Sequence, residues 1–132
     1  MSARFFVDEN DLALGKALAA VHDGVVYPGH PELAEVPRQT LDDVWLPVIG
    51  ARGLVVITRD KRIRYRPVER RAWLTFGVRG FVLTGTGSQS TADSMAILDR
   101  HWQTMMTIIE SGPEGPWMQA VTSAGLRPID LA

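Results

Sequence analysis

The chain has 132 residues, 45% hydrophobic and 22% charged, a composition that fits one compact domain over residues 1–132 and excludes a disordered or fibrous protein. Its net charge of −1 excludes a generally basic coat for polyanions, and the absence of cysteine excludes disulfides, zinc-thiolate sites and thiol nucleophiles. Charge interrupts MSARFFVDEN too early for a signal peptide, and no apolar run reaches the ~20 residues of a membrane span, so the expectation is a soluble, cytoplasmic protein without membrane contact.

Arg4 to Val7 reads as a short buried strand stopping at Asp8, and Leu12, Leu14, Ala17, Leu18 and Val21 follow helical spacing until His22-Asp23-Gly24. Val25 to Tyr27 reads as a second strand, followed by a loop rich in proline and glycine. Thr40, with Asp43 three positions on, has capping-box spacing and predicts a helix that runs through Trp45, Leu46 and Ile49 toward Gly53. Leu54 to Thr58 is an uninterrupted apolar run, the pattern of a parallel strand covered on both faces. A basic segment follows Asp60, then a helix over Val68 to Phe76 and a strand over Gly80 to Thr84. The GTGSQST segment, with Gly85 and Gly87, reads as a strand-to-helix turn rather than a phosphate loop. Ser90 with Asp93 caps a helix whose Met95, Leu98, Trp102, Met105 and Ile109 form one apolar stripe. Trp117 to Thr122 and Leu126 to Leu131 read as a terminal hairpin. The alternation predicts an α/β three-layer sandwich with a mainly parallel central sheet and a C-terminal hairpin.

Ligands in such sheets sit beyond the carboxyl ends of the strands. Asp8 and Asp60 fall at two of those ends, and the helix start at Asp42-Asp43 can reach the same edge. Two carboxylates about 4 Å apart repel by roughly 4 kcal/mol at an effective dielectric near 20, so converging acids need a cation. Each acid also has a bland reading: Asp8 and Asp43 as helix caps, and Asp60 as the residue that shapes its turn.

FFVDEN, TLDDVWLPVIGARGLVVITRDKRIRYRPVERRA and GVRGFVLTG resemble the PIN-like ribonucleases, and within them the branch associated with the VapC-type toxin halves of toxin–antitoxin pairs; GPWMQAVT is loosely similar. The resemblance implies a divalent-metal endoribonuclease in which Asp8, Asp60 and an acid from Asp42-Asp43 are catalytic and bind Mg²⁺ or Mn²⁺. Asn10 and Thr58 match the small polar residues that flank those ligands. Asp42 fits the family spacing slightly better, whereas Asp43 is the better cap. A fourth acid is common in the family, and here its candidates are Glu69 and Asp93, with Glu69 also able to pair with Arg66 or Arg70. A small cognate antitoxin and a homodimer are further implications. Oxygen ligands and retained waters suit Mg²⁺, so carboxylates from several elements suffice.

Arg59, Lys61, Arg62, Arg64, Arg66, Arg70 and Arg71 are seven of the fourteen basic residues. In an extended segment, Arg62, Arg64 and Arg66 would form a row of guanidinium groups tracking RNA phosphates beside Arg59 and Lys61. His30 is a lone loop histidine, and His22 and His101 lack a partner at ligand spacing. Trp45, Trp73 and Trp102 read as core. A response-regulator receiver domain would use Asp8-Glu9, Asp60 and Thr84, but it needs a lysine after the fifth strand, and the only lysines are Lys16 and Lys61. A catalytically inactive binding module is the remaining alternative.

Overall fold

A computed structural model describes residues 3–85 and 90–131. Its six strands are β1 (Phe5–Val7), β2 (Val25–Val26), β3 (Val55–Thr58), β4 (Arg79–Leu83), β5 (Trp117–Thr122) and β6 (Gly125–Pro128), in the sheet order β2-β1-β3-β4-β5-β6. The first five are mutually parallel, and β6 runs antiparallel to β5. This is the expected α/β architecture with its C-terminal hairpin, although the second hairpin strand is shorter than its sequence pattern suggested. Gly87 and the rest of 86–89 in the GTGSQST turn lie outside the described residues.

Four helices form the outer layers: α1 (Leu12–Val21), α2 (Asp42–Arg52), α3 (Pro67–Thr75) and α4 (Thr91–Ser111). Alternate strand residues face opposite sides, so Phe6, Val56 and Val82 join Trp45, Leu46, Ile49 and Trp73 of α2 and α3 in one core. Phe5, Val7, Val55, Ile57 and Phe81 join Leu14 and Leu18 of α1 and Leu98 and Met105 of α4 in the other. Gly80 is required by this packing, because a β-carbon there would lie 2.6 Å from the Trp73 ring. Trp45 and Trp73 are thus core residues, and Trp102 stacks on His22 with ring centroids 3.9 Å apart. No helix among the described residues is long and apolar enough to cross a membrane.

The Ser90–Asp93 capping box forms at the start of α4 as its spacing predicts. The one expected at Thr40–Asp43 does not. Thr40 Oγ1 donates to the Pro37 carbonyl at 2.7 Å, α2 begins two residues later at Asp42, and its N-cap position is Leu41 without a side-chain cap. The extended row of Arg62, Arg64 and Arg66 is also absent. Asp60 Oδ1 accepts from the Arg62 backbone N–H at 3.1 Å, which folds the chain into a turn, and a 3-10 turn over Ile63–Tyr65 follows with Ile63 buried. The local Asx turn and the apolar anchor prevail over alternation.

Candidate active site

The strand order reverses direction between β1 and β3: β2 lies on one side of β1 and the later strands on the other. Such a switch point opens a crevice at the carboxyl ends of the two strands. Asp8 leaves β1 there, and Thr58 ends β3 with Asp60 two residues on. The β1–β3 pairing sets Val7 opposite Ile57, which brings Asp8 level with Thr58. Thr58 Oγ1 donates to Asp8 Oδ2 at 3.0 Å and accepts from the Asp60 backbone N–H at 3.0 Å.

Asp8 is 2% exposed, and its other carboxylate oxygen, Oδ1, is buried with no hydrogen-bond partner among the described residues. Burial is the main reason that its pKa rises to about 7; the Thr58 bond opposes the rise, and the charges of Asp42, Asp60 and Asp11 reinforce it. Asp8 does not cap a helix: no side-chain bond reaches the following 3-10 turn, and α1 is capped by Asp11, whose Oδ1 accepts from the Leu14 N–H at 3.2 Å. The capping role falls to Asp11, which helical periodicity does not single out. A capping acid three residues before Leu14 was its available signal.

Asp42 reaches the crevice from the start of α2. Its Oδ1 accepts from the Trp45 indole N–H at 2.9 Å, so a core tryptophan orients the carboxylate. Burial raises its pKa, and the Trp45 bond and the Arg66 charge offset this only in part. Asp43, one residue on, is exposed and lines, with Asp42, Glu69 and Glu9, an open cleft of about 570 Å³. The shared charge effects therefore join Asp42, rather than Asp43, to Asp8 and Asp60. Glu9 turns away to bind Arg38 Nε at 2.8 Å and the Gln39 backbone N–H, which fixes the loop before α2 and holds its carboxyl below the usual range.

The cation that this acidic set requires is supplied from within. Arg66 Nη2 is bonded to Asp60 Oδ2 and lies 3.5 Å from Asp42 Oδ2, while its Nε is 3.3 Å from Glu69 Oε1. Asp60, then Glu69 and Asp42, raise the Arg66 pKa above its ordinary value. Arg66, expected among the RNA-facing residues, is folded back over the acids by the turn after Asp60. Among the described residues, no three histidine or acidic side chains stand close enough to grip an ion as they are, and the guanidinium spans the space between them.

The remaining predicted residues divide clearly. Arg59 pairs with Asp11 at 2.9 Å, Lys61 Nζ donates to the Gly85 carbonyl at 2.7 Å, Arg62 is exposed, and the Arg64 guanidinium lies over the Tyr65 ring at 4.5 Å. Asn10 is exposed on the turn after Asp8 and forms no side-chain hydrogen bond among the described residues. Asp93 is engaged in its capping box. His30 Nδ1 accepts from the Glu32 N–H at 3.0 Å, a local loop contact.

A family model described as a PIN-like domain matches residues 3–85, which include β1 to β4 and all the acids of the crevice. The chain belongs to the PIN-like domain family. No curated protein and no solved structure gives a significant match. PIN-like domains are generally nucleases and typically use divalent metals, and this one keeps a buried acid at the switch point.

The PIN-like crevice meets the basic requirement for holding a cation. It contains a buried carboxylate oxygen without a partner among the described residues, the carboxylates of Asp42 and Asp60, whose charges act on it, and one positive group already in place. An ion entering the site would have to exchange with Arg66.

Proposed function

We propose that this PIN-like domain is a divalent-metal-dependent endoribonuclease in which Asp8, Asp42 and Asp60 hold Mg²⁺ or Mn²⁺, with Glu69 at the margin. The single observation that carries this reading is Asp8 Oδ1, buried, without a hydrogen-bond partner among the described residues, and under the charges of Asp42 and Asp60. A carboxylate in that state is costly unless a cation arrives. When bound, such an ion lowers the pKa of a water and offsets charge that develops on a phosphodiester.

The chain's own residues would prepare that chemistry. Thr58 fixes the position of Asp8 and of the backbone at Asp60, and Trp45 orients Asp42. The raised pKa of Asp8 makes it able to carry a proton near neutrality until a cation displaces it. Arg66 keeps the acids partly neutralised, and once displaced it would stand at the edge of the crevice with a charge suited to the substrate phosphates.

We extend the proposal to a VapC-type toxin with a small cognate antitoxin. Leu41 and Val68 line the acidic cleft and are 69% and 60% exposed, so a partner could cover apolar surface while presenting a cation to the acids. A homodimer belongs to the same reading.

The test is incubation of the purified protein with total RNA and Mn²⁺, against an EDTA control, for wild type, Asp8→Asn and Asp60→Asn. Cleavage by wild type alone supports the proposal; cleavage retained in both variants rejects it. A catalytically inactive module would instead bind no Mn²⁺ in a calorimetric titration.

A further inference from the structure

We propose that a second cleft, beside the acidic crevice, seats one nucleotide of a single-stranded RNA, base inward and phosphate on the rim. The inference rests on the ribonuclease reading and names where its substrate lies.

The cleft opens on the sheet face that α2 and α3 cover elsewhere. Val82 of β4 and Met118 and Ala120 of β5 line it, and its volume is about 490 Å³, within the roughly 300–1,000 Å³ typical of small-molecule sites. Lys61, Arg64 and Arg127 also line it, three cations against the single acid Asp130 among the described residues. They come from distant parts of the chain, so the basic run after Asp60 explains only two of them. Thr84 Oγ1 is buried here and has no hydrogen-bond partner among the described residues. A polar group left in that condition is satisfied when a ligand brings a donor or acceptor to it. Tyr65, at the edge, is 67% exposed, and the Arg64 guanidinium lies 4.5 Å from its ring centroid.

An apolar floor with one unsatisfied hydroxyl and an exposed ring suits a nucleobase, which has a stacking face and a hydrogen-bonding edge. The cationic rim suits the phosphate. An acidic peptide would use the rim and leave the hydroxyl and the floor unanswered. Position links the cleft to the acids. Thr58 pairs with Val82, so Thr84 stands level with Asp60 on the neighbouring strand, and Lys61 directly follows Asp60. A base held against the floor would therefore place its neighbouring phosphodiester at the acidic crevice.

The experiment measures fluorescence anisotropy of a labelled short oligouridine in EDTA, with wild type, Arg127→Ala, Tyr65→Ala and Thr84→Val, each checked by circular dichroism melting. Arg127→Ala should weaken binding and reduce the salt slope by about 1, as for one lost phosphate contact. Tyr65→Ala should weaken it about fivefold or more, as for one lost stacking contact, with heparin binding unchanged. Thr84→Val, nearly the same in shape, should weaken RNA binding without altering the salt slope. Wild-type affinity in Arg127→Ala and Tyr65→Ala would overturn the inference, as would equal loss of heparin and RNA binding in Tyr65→Ala. RNA bound through these residues but left uncut in Mn²⁺ would defeat the nuclease reading alone. RNA that is cut, but bound equally by all variants, would defeat the cleft alone.

Discussion

Thr58 donates to Asp8 across 3.0 Å while accepting from the Asp60 backbone N–H, so one buried hydroxyl ties together two acidic strand ends. Thr58→Val keeps the shape and removes both bonds. It should destabilise the metal-free protein by about 1–3 kcal/mol, since a buried carboxylate oxygen and a backbone N–H lose their partner. Thr58→Ser should recover most of the loss. Urea midpoints at neutral pH measure this, and an unchanged midpoint in Thr58→Val would contradict the assigned bonding.

The raised pKa of Asp8 gives a pH dependence of definite sign. Its folded value of about 7 lies above the unfolded 3.8, so between those limits the native state holds a proton that the unfolded chain has lost. The stabilising contribution is complete below the lower value and declines as pH rises through the interval, by a total on the order of 4 kcal/mol. Asp8→Asn carries no such charge. In EDTA its melting temperature should exceed that of wild type by a margin that opens as pH rises from about 4 to about 7. Parallel profiles would show that Asp8 ionises freely in the fold.

Arg66 and an incoming dication compete for the same carboxylates. Arg66→Gln should lower the metal-free melting temperature, because Asp60, Asp42 and Glu69 lose their common counter-ion. The same change should tighten Mn²⁺ binding by about tenfold, equivalent to removing ~1.4 kcal/mol of competition. Isothermal titration calorimetry reads the second effect directly. Unchanged or weaker Mn²⁺ binding would mean that the guanidinium does not compete for the site.

Glu69 and Asp93 were both candidates for a fourth acid, and their surroundings now separate them. Glu69 lines the acidic cleft and shares Arg66, whereas Asp93 closes the capping box of α4 with Ser90. Glu69→Gln should weaken Mn²⁺ binding several-fold with little change in melting. Asp93→Asn should leave Mn²⁺ affinity as in wild type, and Ser90→Ala should cost about 1 kcal/mol of stability. Weakened Mn²⁺ binding in Asp93→Asn would reverse the assignment.

The alternation of apolar runs with helical stripes made the sheet and the four helices legible, because burial on both faces writes itself into composition: FFV, LVVIT and GFVL need no context to read as strands. Asp8 and Asp60 were legible for a related reason, since strand ends in a parallel sheet share an edge. The choice between Asp42 and Asp43 was not, because it depends on the Trp45 indole reaching back one turn. The direction of Arg66 was hidden too. Alternation argues for an extended row, but one Asx turn at Asp60 and a buried Ile63 reorient everything that follows. The rim contributed by Arg127 has no local signal, since it depends on β6 folding back on β5.

Both margins of the sheet are short: β2 spans two residues, and β6 closes with Pro128, which lacks a backbone N–H. Growth of the sheet from copy to copy thus finds little main chain to zip onto. Self-association, where it occurs, has to be written in side chains on the helical flanks. Substitutions there can tune it without touching the strand ends that carry Asp8 and Asp60.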